Sequence, residues 1–327
     1  MGYRSIRVRV PGTSANCGPG FDSIGLACTV YNDMELALTK EPGLSITIVG
    51  EGAQNIPCDQ RNIVWRSVQY LLKKAGEDKK YPGAIIHMDN HVPLSRGLGS
   101  SATAIVAGLK AANVLIGNRY SRRELLQFAT DIEGHPDNVA PALFGGFTVS
   151  TVTDGLVECF SFLPKFHLKL VVAVPDFPLS TRKARAVLPD QVPMKDAVNN
   201  ISRAAMLIAA LCRGNEKFLA NVFEDALHQP YRAPLIPGMY EVFQAARQAG
   251  AIGANLSGAG PCLIAYTMEQ SNCQEAVGKA MQQAFEQQRG SRRIAVVQLV
   301  AHVQGLGHQG FEVGIGQPAH RNLHGGE

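Results

Sequence analysis

The sequence predicts an α+β protein of two domains, on three observations. At 327 residues the chain is longer than the roughly 100–200 residues of a typical domain. Its first half is dominated by short β-type runs, and helical patterns dominate from Asp196 onward. The change falls near residue 165, so the expected domains are 1–165 and 166–303. The segment 304–327, rich in Gly and His, is expected to be a disordered tail.

The elements follow in order. Ile6, Val8 and Val10 alternate with Arg7 and Arg9, which marks a first strand. Pro11 to Asp22 reads as a Gly-rich turn, followed by two short β-type runs at 24–30 and 34–38 and a strand at 44–49. Val64, Val68, Leu71, Leu72 and Ala75 share one helical face, with Gly76 as the stop. A strand at 84–88 precedes an Ala-rich helix over 102–116. Ser121 and Glu124 form a capping-box pattern that opens a helix to Glu133. The runs 148–153 and 156–160 flank Asp154-Gly155, a hairpin with a type I′ turn. A buried strand is expected at 168–174. Helices are expected over 196–213, 216–227 and 239–249, then a strand at 262–267, a helix at 272–288 and a strand at 294–300.

Composition narrows the function classes. Apolar residues at 46% and charged residues at 18% are ordinary for a globular chain, which at this length buries a core without disulfides or structural metals. The net charge of +4 and the dispersed pairs Lys73-Lys74, Lys79-Lys80, Arg122-Arg123 and Arg292-Arg293 argue against nucleic acid as a partner. Seven cysteines without C-x-x-C or zinc-like spacing point to reduced thiols and a cytoplasmic location. Residues 1–10 carry no signal-peptide core, and no uncharged apolar run approaches the roughly 20 residues of a membrane span.

Four segments carry chemistry. In the first, Pro93, Leu94, Ser95, Arg96, Gly97, Leu98, Gly99, Ser100 and Ser101 run from a strand into the helix that begins at Ala102. Its glycines admit close backbone approach, and the helix adds unpaired N–H groups and a positive dipole end, a combination suited to phosphate. It is neither a Walker A loop nor a dinucleotide fingerprint, and a plain Ser cap after a turn would look similar. Pro11–Asp22 presents Asn16 and Asp22 on a tight scaffold, though both residue types are also common turn formers. Ser257-Gly-Ala-Gly-Pro261 leads into an apolar strand and reads as a ligand-approach loop or a simple turn. Glu133-Gly-His-Pro-Asp-Asn138 gathers carboxylates, an imidazole and an amide that suit a hard cation and a polar substrate, or a solvated helix end.

Taken together, these segments resemble the GHMP small-molecule kinase family. Its P-G/A-T-S-A-N-x-G-P-G-F-D, G-L-G-S-S-A and S-G-A-G-P motifs match 11–22, 97–102 and 257–261. His135–Pro141, the run 180–185 and His-Gln-Pro-Tyr-Arg232 resemble the homoserine kinases within it. The departures are Gly12 where Ala is common and Cys17 where Leu is common. The resemblance extends from Ile6 to Val300.

This resemblance implies ATP as phosphoryl donor, L-homoserine as the small-molecule acceptor, and Mg²⁺. It also implies an N-terminal α+β domain with a left-handed crossover, a ferredoxin-like C-terminal domain, and homodimers in some members. The loop from Pro93 to Ala102, with Gly97, Gly99, Ser100 and Ser101 at its centre, would cradle the phosphates, and Asn62 would lie near the adenine. Ser101 and Glu133 would hold Mg²⁺. Arg185 and Arg232 would anchor the substrate carboxylate, and Asp22 its ammonium or hydroxyl. Asn16, His135, Asn138 and Thr181 would complete the pocket. Asn138 stands where some related kinases carry an aspartate base, so the implied catalytic set of Asn138, Arg185, Ser101 and Glu133 works by positioning and charge neutralisation.

Overall fold

The computed structural model describes residues 4–289 and 301–302. Strand β1 (Ser5–Ala15) buries Ile6, Val8 and Val10, while Arg9 reaches across to Asp33. It continues past Pro11 through a register shift between Pro11 and Thr13, so the Gly-rich turn is shorter than expected. Strand β2 (Ile24–Thr39) is one long strand instead of two short runs. The polar residues Asn32 and Asp33 do not interrupt it because tertiary partners satisfy both. Asn32 accepts from the His91 and Val92 N–H groups and donates to Thr103, and Asp33 pairs with Arg9.

Strand β3 (Gly43–Gly50) connects through helix α1 (Ile63–Ala75) to its parallel partner β4 (Gly83–Asn90). Helix α2 (Ser100–Leu115) follows, then α3 (Arg122–Glu133), which opens on the expected capping box of Ser121 and Glu124. Helix α4 (Pro136–Phe144) was not foreseen. Its Pro136 sits at the first helical position, where the missing N–H removes no bond. The hairpin of β5 (Phe147–Thr153) and β6 (Leu156–Phe162) turns on Asp154 and Gly155, both at positive φ as a type I′ turn requires. The first sheet runs β3-β4-β2-β5-β6, with β1 also paired to β2. Helices α1 to α4 cover it through a core that includes Trp65, Leu71, Ile105, Leu125 and Leu143.

The second sheet begins with β7 (Leu168–Ala173). Four helices follow: α5 (Thr181–Arg185), α6 (Met194–Arg213), α7 (Gln229–Arg232) and α8 (Met239–Gln248). Strands β8 (Gly253–Leu256) and β9 (Leu263–Met268), helix α9 (Gln274–Arg289) and strand β10 (Ala301–His302) complete it. The order β10-β7-β9-β8, all antiparallel, is that of a ferredoxin-like βαββαβ unit. Alternate residues of β7 face opposite sides. Leu168, Leu170 and Val172 join a core shared with Leu26 and Phe147 of the first sheet and Leu207 and Leu211 of α6. Val171 and Ala173 face α8 and α9.

The helix expected over 216–227 does not form. A 3-10 turn at Glu216–Phe218 is followed by irregular chain. Leu219, Val222 and Phe223 are buried at helical spacing, but Asp225 captures the N–H groups of Leu227, His228 and Gln229 and starts α7 instead. The expected strand at 294–300 and tail at 304–327 lie outside the described residues. No helix among the described residues is long and apolar enough to cross a membrane.

Candidate active site

A cleft of about 460 Å³ lies between the two sheets, and most of the predicted site residues line it. One wall is the loop into α2. Ser95, Gly97 and Gly99 all have positive φ. A Cβ on Gly97 would lie 2.2 Å from the Ser257 carbonyl oxygen, and one on Gly99 would lie 1.9 Å from Thr13 Oγ1. Both glycines are therefore required by contact as well as by conformation. Hydrogen bonds from Ser257 Oγ to Gly97 O and from the Thr13 N–H to Leu98 O fix the loop. No side chain caps α2 at Gly99, which leaves its first-turn N–H groups for a ligand in the cleft. Leu98 and Ala102 are buried in the cores and Pro93 is off the cleft wall.

Across the cleft, Ser101 Oγ donates to Glu133 Oε2 at 2.8 Å. Glu133 ends α3 and His135 caps α4, with His135 Nδ1 2.5 Å from the buried Asp137 carboxylate. Asn138 Oδ1 accepts from Thr13 Oγ1 at 2.9 Å. Helix α4 is pressed onto β2 so closely that a Cβ on Gly25 would lie 1.9 Å from the Asp137 carbonyl.

The third wall comes from both halves of the chain. Asn16, Cys17 and Asp22 take left-handed φ in the loop between β1 and β2. Asn16 is spent on bracing this loop: its Nδ2 donates to Gly258 O and its Oδ1 accepts from the Asp22 N–H. Arg185, at the end of α5, forks onto Asp22 through Nη1 and Nη2 at 2.9 and 2.8 Å. The buried Arg232 donates from Nε to Ala184 O and from Nη1 to Gly258 O, both at 3.1 Å. Both guanidinium carbons lie over the Phe21 ring, at 5.7 and 5.3 Å. Thr181 lines the rim.

Asn62 does not reach the cleft. It is fully buried, caps α1 by accepting from the Val64 N–H, and donates to Pro57 O. Its neighbours Ile56, Pro57, Ile63 and Met88 form an apolar end that sequence reasoning missed, since no motif marks it. Asn90 joins that wall, and its Oδ1 is buried with no partner among the described residues.

Comparisons with known proteins complete the description. The family "GHMP kinases N terminal domain" matches residues 62–146, and "GHMP kinases C terminal" matches 206–286. Homoserine kinase of Carboxydothermus hydrogenoformans is 44% identical, over 86% of this chain and 90% of its own length. That of Gloeobacter violaceus is 46% identical, over 84% and 91%. The crystal structure of homoserine kinase from Cytophaga hutchinsonii superposes with a TM-score of 0.82 at 32% identity, covering 94% of this chain and 97% of its own. The chain belongs to the GHMP kinase family.

Membership implies ATP use, and the GHMP kinase cleft fits it. The uncapped start of α2 suits phosphate oxygens, and the orphaned Asn90 Oδ1 supplies an acceptor at the apolar end. The Ser101–Glu133 pair has the chemistry of a sparse Mg²⁺ site, one hydroxyl and one carboxylate. Burial holds Glu133 above the usual carboxylate range, a cost that a cation would relieve. Burial is the largest single influence on His135 and opposes its charge, but the Asp137 hydrogen bond and the Asp137 and Glu133 charges together raise this histidine above its ordinary range. Arg232 is pushed down to about 10, first by burial and then by Arg185. Arg185 is raised by its hydrogen bonds to Asp22.

Proposed function

We propose that this GHMP kinase transfers the γ-phosphoryl group of ATP to the side-chain hydroxyl of L-homoserine, giving O-phospho-L-homoserine and ADP. Relatives named homoserine kinase, at 44% and 46% identity over most of the chain, support this substrate. One observation carries it: the Asp22–Arg185 ion pair and the buried Arg232 line the same cleft as the phosphate loop. An amino acid carries both charges of that pair. Its ammonium takes Asp22 and its carboxylate takes Arg185 and Arg232, so a zwitterion exchanges with the resident pair without stranding either charge. A hydroxy acid such as mevalonate has no ammonium and would leave Asp22 unpaired.

Bound Mg-ATP supplies the phosphoryl group and much of the neutralising charge. The chain's own residues do the rest. Gly97, Gly99, Ser100 and Ser101 orient the phosphates through the start of α2, and Ser101 and Glu133 would hold Mg²⁺. Asn138, braced by Thr13, positions the acceptor hydroxyl. No aspartate stands at Asn138, and phosphoryl transfer through a loose transition state tolerates the lack of a base. A second reading makes His135 the base, since Asp137 orients it as in a His–Asp dyad. Its raised pKa favours the first reading, in which His135 donates to the substrate.

The break between Phe162 of β6 and Leu168 of β7 supports a domain boundary near 165. The seven free cysteines support a reducing, cytoplasmic setting.

A coupled ADP-release assay with Mg-ATP tests the function on L-homoserine, mevalonate, galactose and L-threonine. The expected result is turnover on homoserine alone, at about 1–100 s⁻¹. Turnover on mevalonate or galactose in its place would keep the family and remove the pocket assignment.

A further inference from the structure

His228 is fully buried and stands behind the cleft, outside its lining. Its Nε2 lies 2.9 Å from the Gly18 carbonyl oxygen, and its Nδ1 lies 3.2 Å from Arg232 Nη1. A carbonyl only accepts and a guanidinium only donates. Nε2 must therefore carry the hydrogen and Nδ1 must be bare, so only the neutral Nε2–H tautomer satisfies both contacts. A second proton would set Nδ1–H against an Arg232 N–H.

The surroundings are closed on every side. Phe21 stacks on the imidazole at 5.2 Å. From the turn before α7, Asp225 Oδ2 comes within 3.6 Å of Nε2. That carboxylate already accepts from Asn200 and from the backbone of Leu227, His228 and Gln229. Asp22 adds a weaker attraction from the loop between β1 and β2, and the Arg232 charge opposes protonation from α7 itself. Burial is the largest influence and holds His228 below its ordinary range.

We propose that His228 is a positioning residue for the phosphoryl acceptor: through one neutral tautomer it ties the loop between β1 and β2 at Gly18 to the Arg232 guanidinium and so sets the affinity for the amino acid. This rests on the reading of Arg232 as a substrate anchor. The role is distinct from that of Arg232, since His228 meets the ligand only through it.

Two amides divide the relay. His228→Asn places an acceptor where Nδ1 stands and keeps the Arg232 partner. His228→Gln places a donor near Nε2 and keeps only the Gly18 partner. The assay is steady-state ADP release, with KM for homoserine and KM for ATP measured between pH 5.5 and 8 and with melting temperature followed in parallel. His228→Gln is expected to raise KM for homoserine about tenfold, as for one lost buried hydrogen bond. His228→Asn is expected to raise it about threefold, and KM for ATP is expected to hold in both. In the unsubstituted enzyme, KM for homoserine is expected to rise toward the acid end of the range, since burial holds His228 below its ordinary range and its second proton arrives only there. In His228→Asn that acid-side rise is absent, because an amide does not titrate. Equal losses in both variants, KM for ATP moving in step with KM for homoserine, or an acid-side rise that persists in His228→Asn would each overturn the proposal. If the unsubstituted protein does not turn over homoserine, the substrate assignment falls and this inference with it.

Discussion

Replacing Asp22 by Asn tests the zwitterion exchange most directly. The carboxylate accepts both Arg185 nitrogens, at 2.9 and 2.8 Å, and the two side chains are 36% and 37% exposed. At that exposure the resident pair contributes only about 0–1 kcal/mol to the fold, so the variant should melt close to the parent. Its effect on binding is larger, because in the proposed pose the substrate ammonium loses the carboxylate that pairs with it. A charge-assisted hydrogen bond contributes about 1.5–3 kcal/mol, and partial exposure points to the lower end, roughly a tenfold change. The assay compares kcat/KM for homoserine with that for 4-hydroxybutyrate, the same molecule without its ammonium. Asp22→Asn should lower the homoserine preference about tenfold, mostly through the amino acid. A preference unchanged within twofold, with the variant folded, would refute the exchange and leave Asp22 as a loop brace.

Glu133→Gln removes the carboxylate beside Ser101 and should raise the Mg²⁺ requirement about tenfold or more. Mn²⁺ binding to the complex with a non-hydrolysable ATP analogue, followed by paramagnetic resonance, checks this without turnover. Gly97→Ala combines a φ of +83° with a Cβ only 2.2 Å from Ser257 O. It should lose about 1–3 kcal/mol of stability and bind ATP more weakly, read by thermal melting and nucleotide titration. His135 is raised by Asp137 against its burial, so its charged form contributes stability below the ordinary histidine range, and that contribution is lost as pH rises through its folded pKa. At saturating homoserine, kcat should therefore fall on the alkaline side, with Asp137→Asn moving the limb to lower pH. An acid-side fall in kcat would favour His135 as base.

Features governed by local chemistry were legible in the sequence. The capping box at Ser121 and Glu124, the positive-φ turn at Asp154-Gly155 and the glycines of the phosphate loop each depend on residues a few positions apart. The misreadings share a different cause. Leu219, Val222 and Phe223 have helical spacing, yet tertiary burial takes them without a helix, and Asp225 ends the pattern. Asn62, expected near the adenine, lies behind the cleft-lining Pro57 and Ile63, where the start of α1 uses its side chain. The Asp22–Arg185 pair spans 163 positions and the Asn16–Gly258 bond 242. Contacts at such separations leave no periodicity to read. The motifs showed that these residues matter, and only the folded chain showed that several of them hold one another.

The seating of Gly97 on Ser257 has a consequence for assembly. The loop into α2 belongs to the first half of the chain, but part of the surface that shapes it comes from the second, through Ser257 and the N–H of Cys262 on Arg96 O. If this loop holds the nucleotide as proposed, the cradle is joint property, completed only when the later-made half docks onto the earlier one. An N-terminal half alone lacks the Ser257 and Cys262 contacts that seat this loop. Nucleotide binding would then report that both halves are present and docked, and separately produced halves should regain it only on mixing.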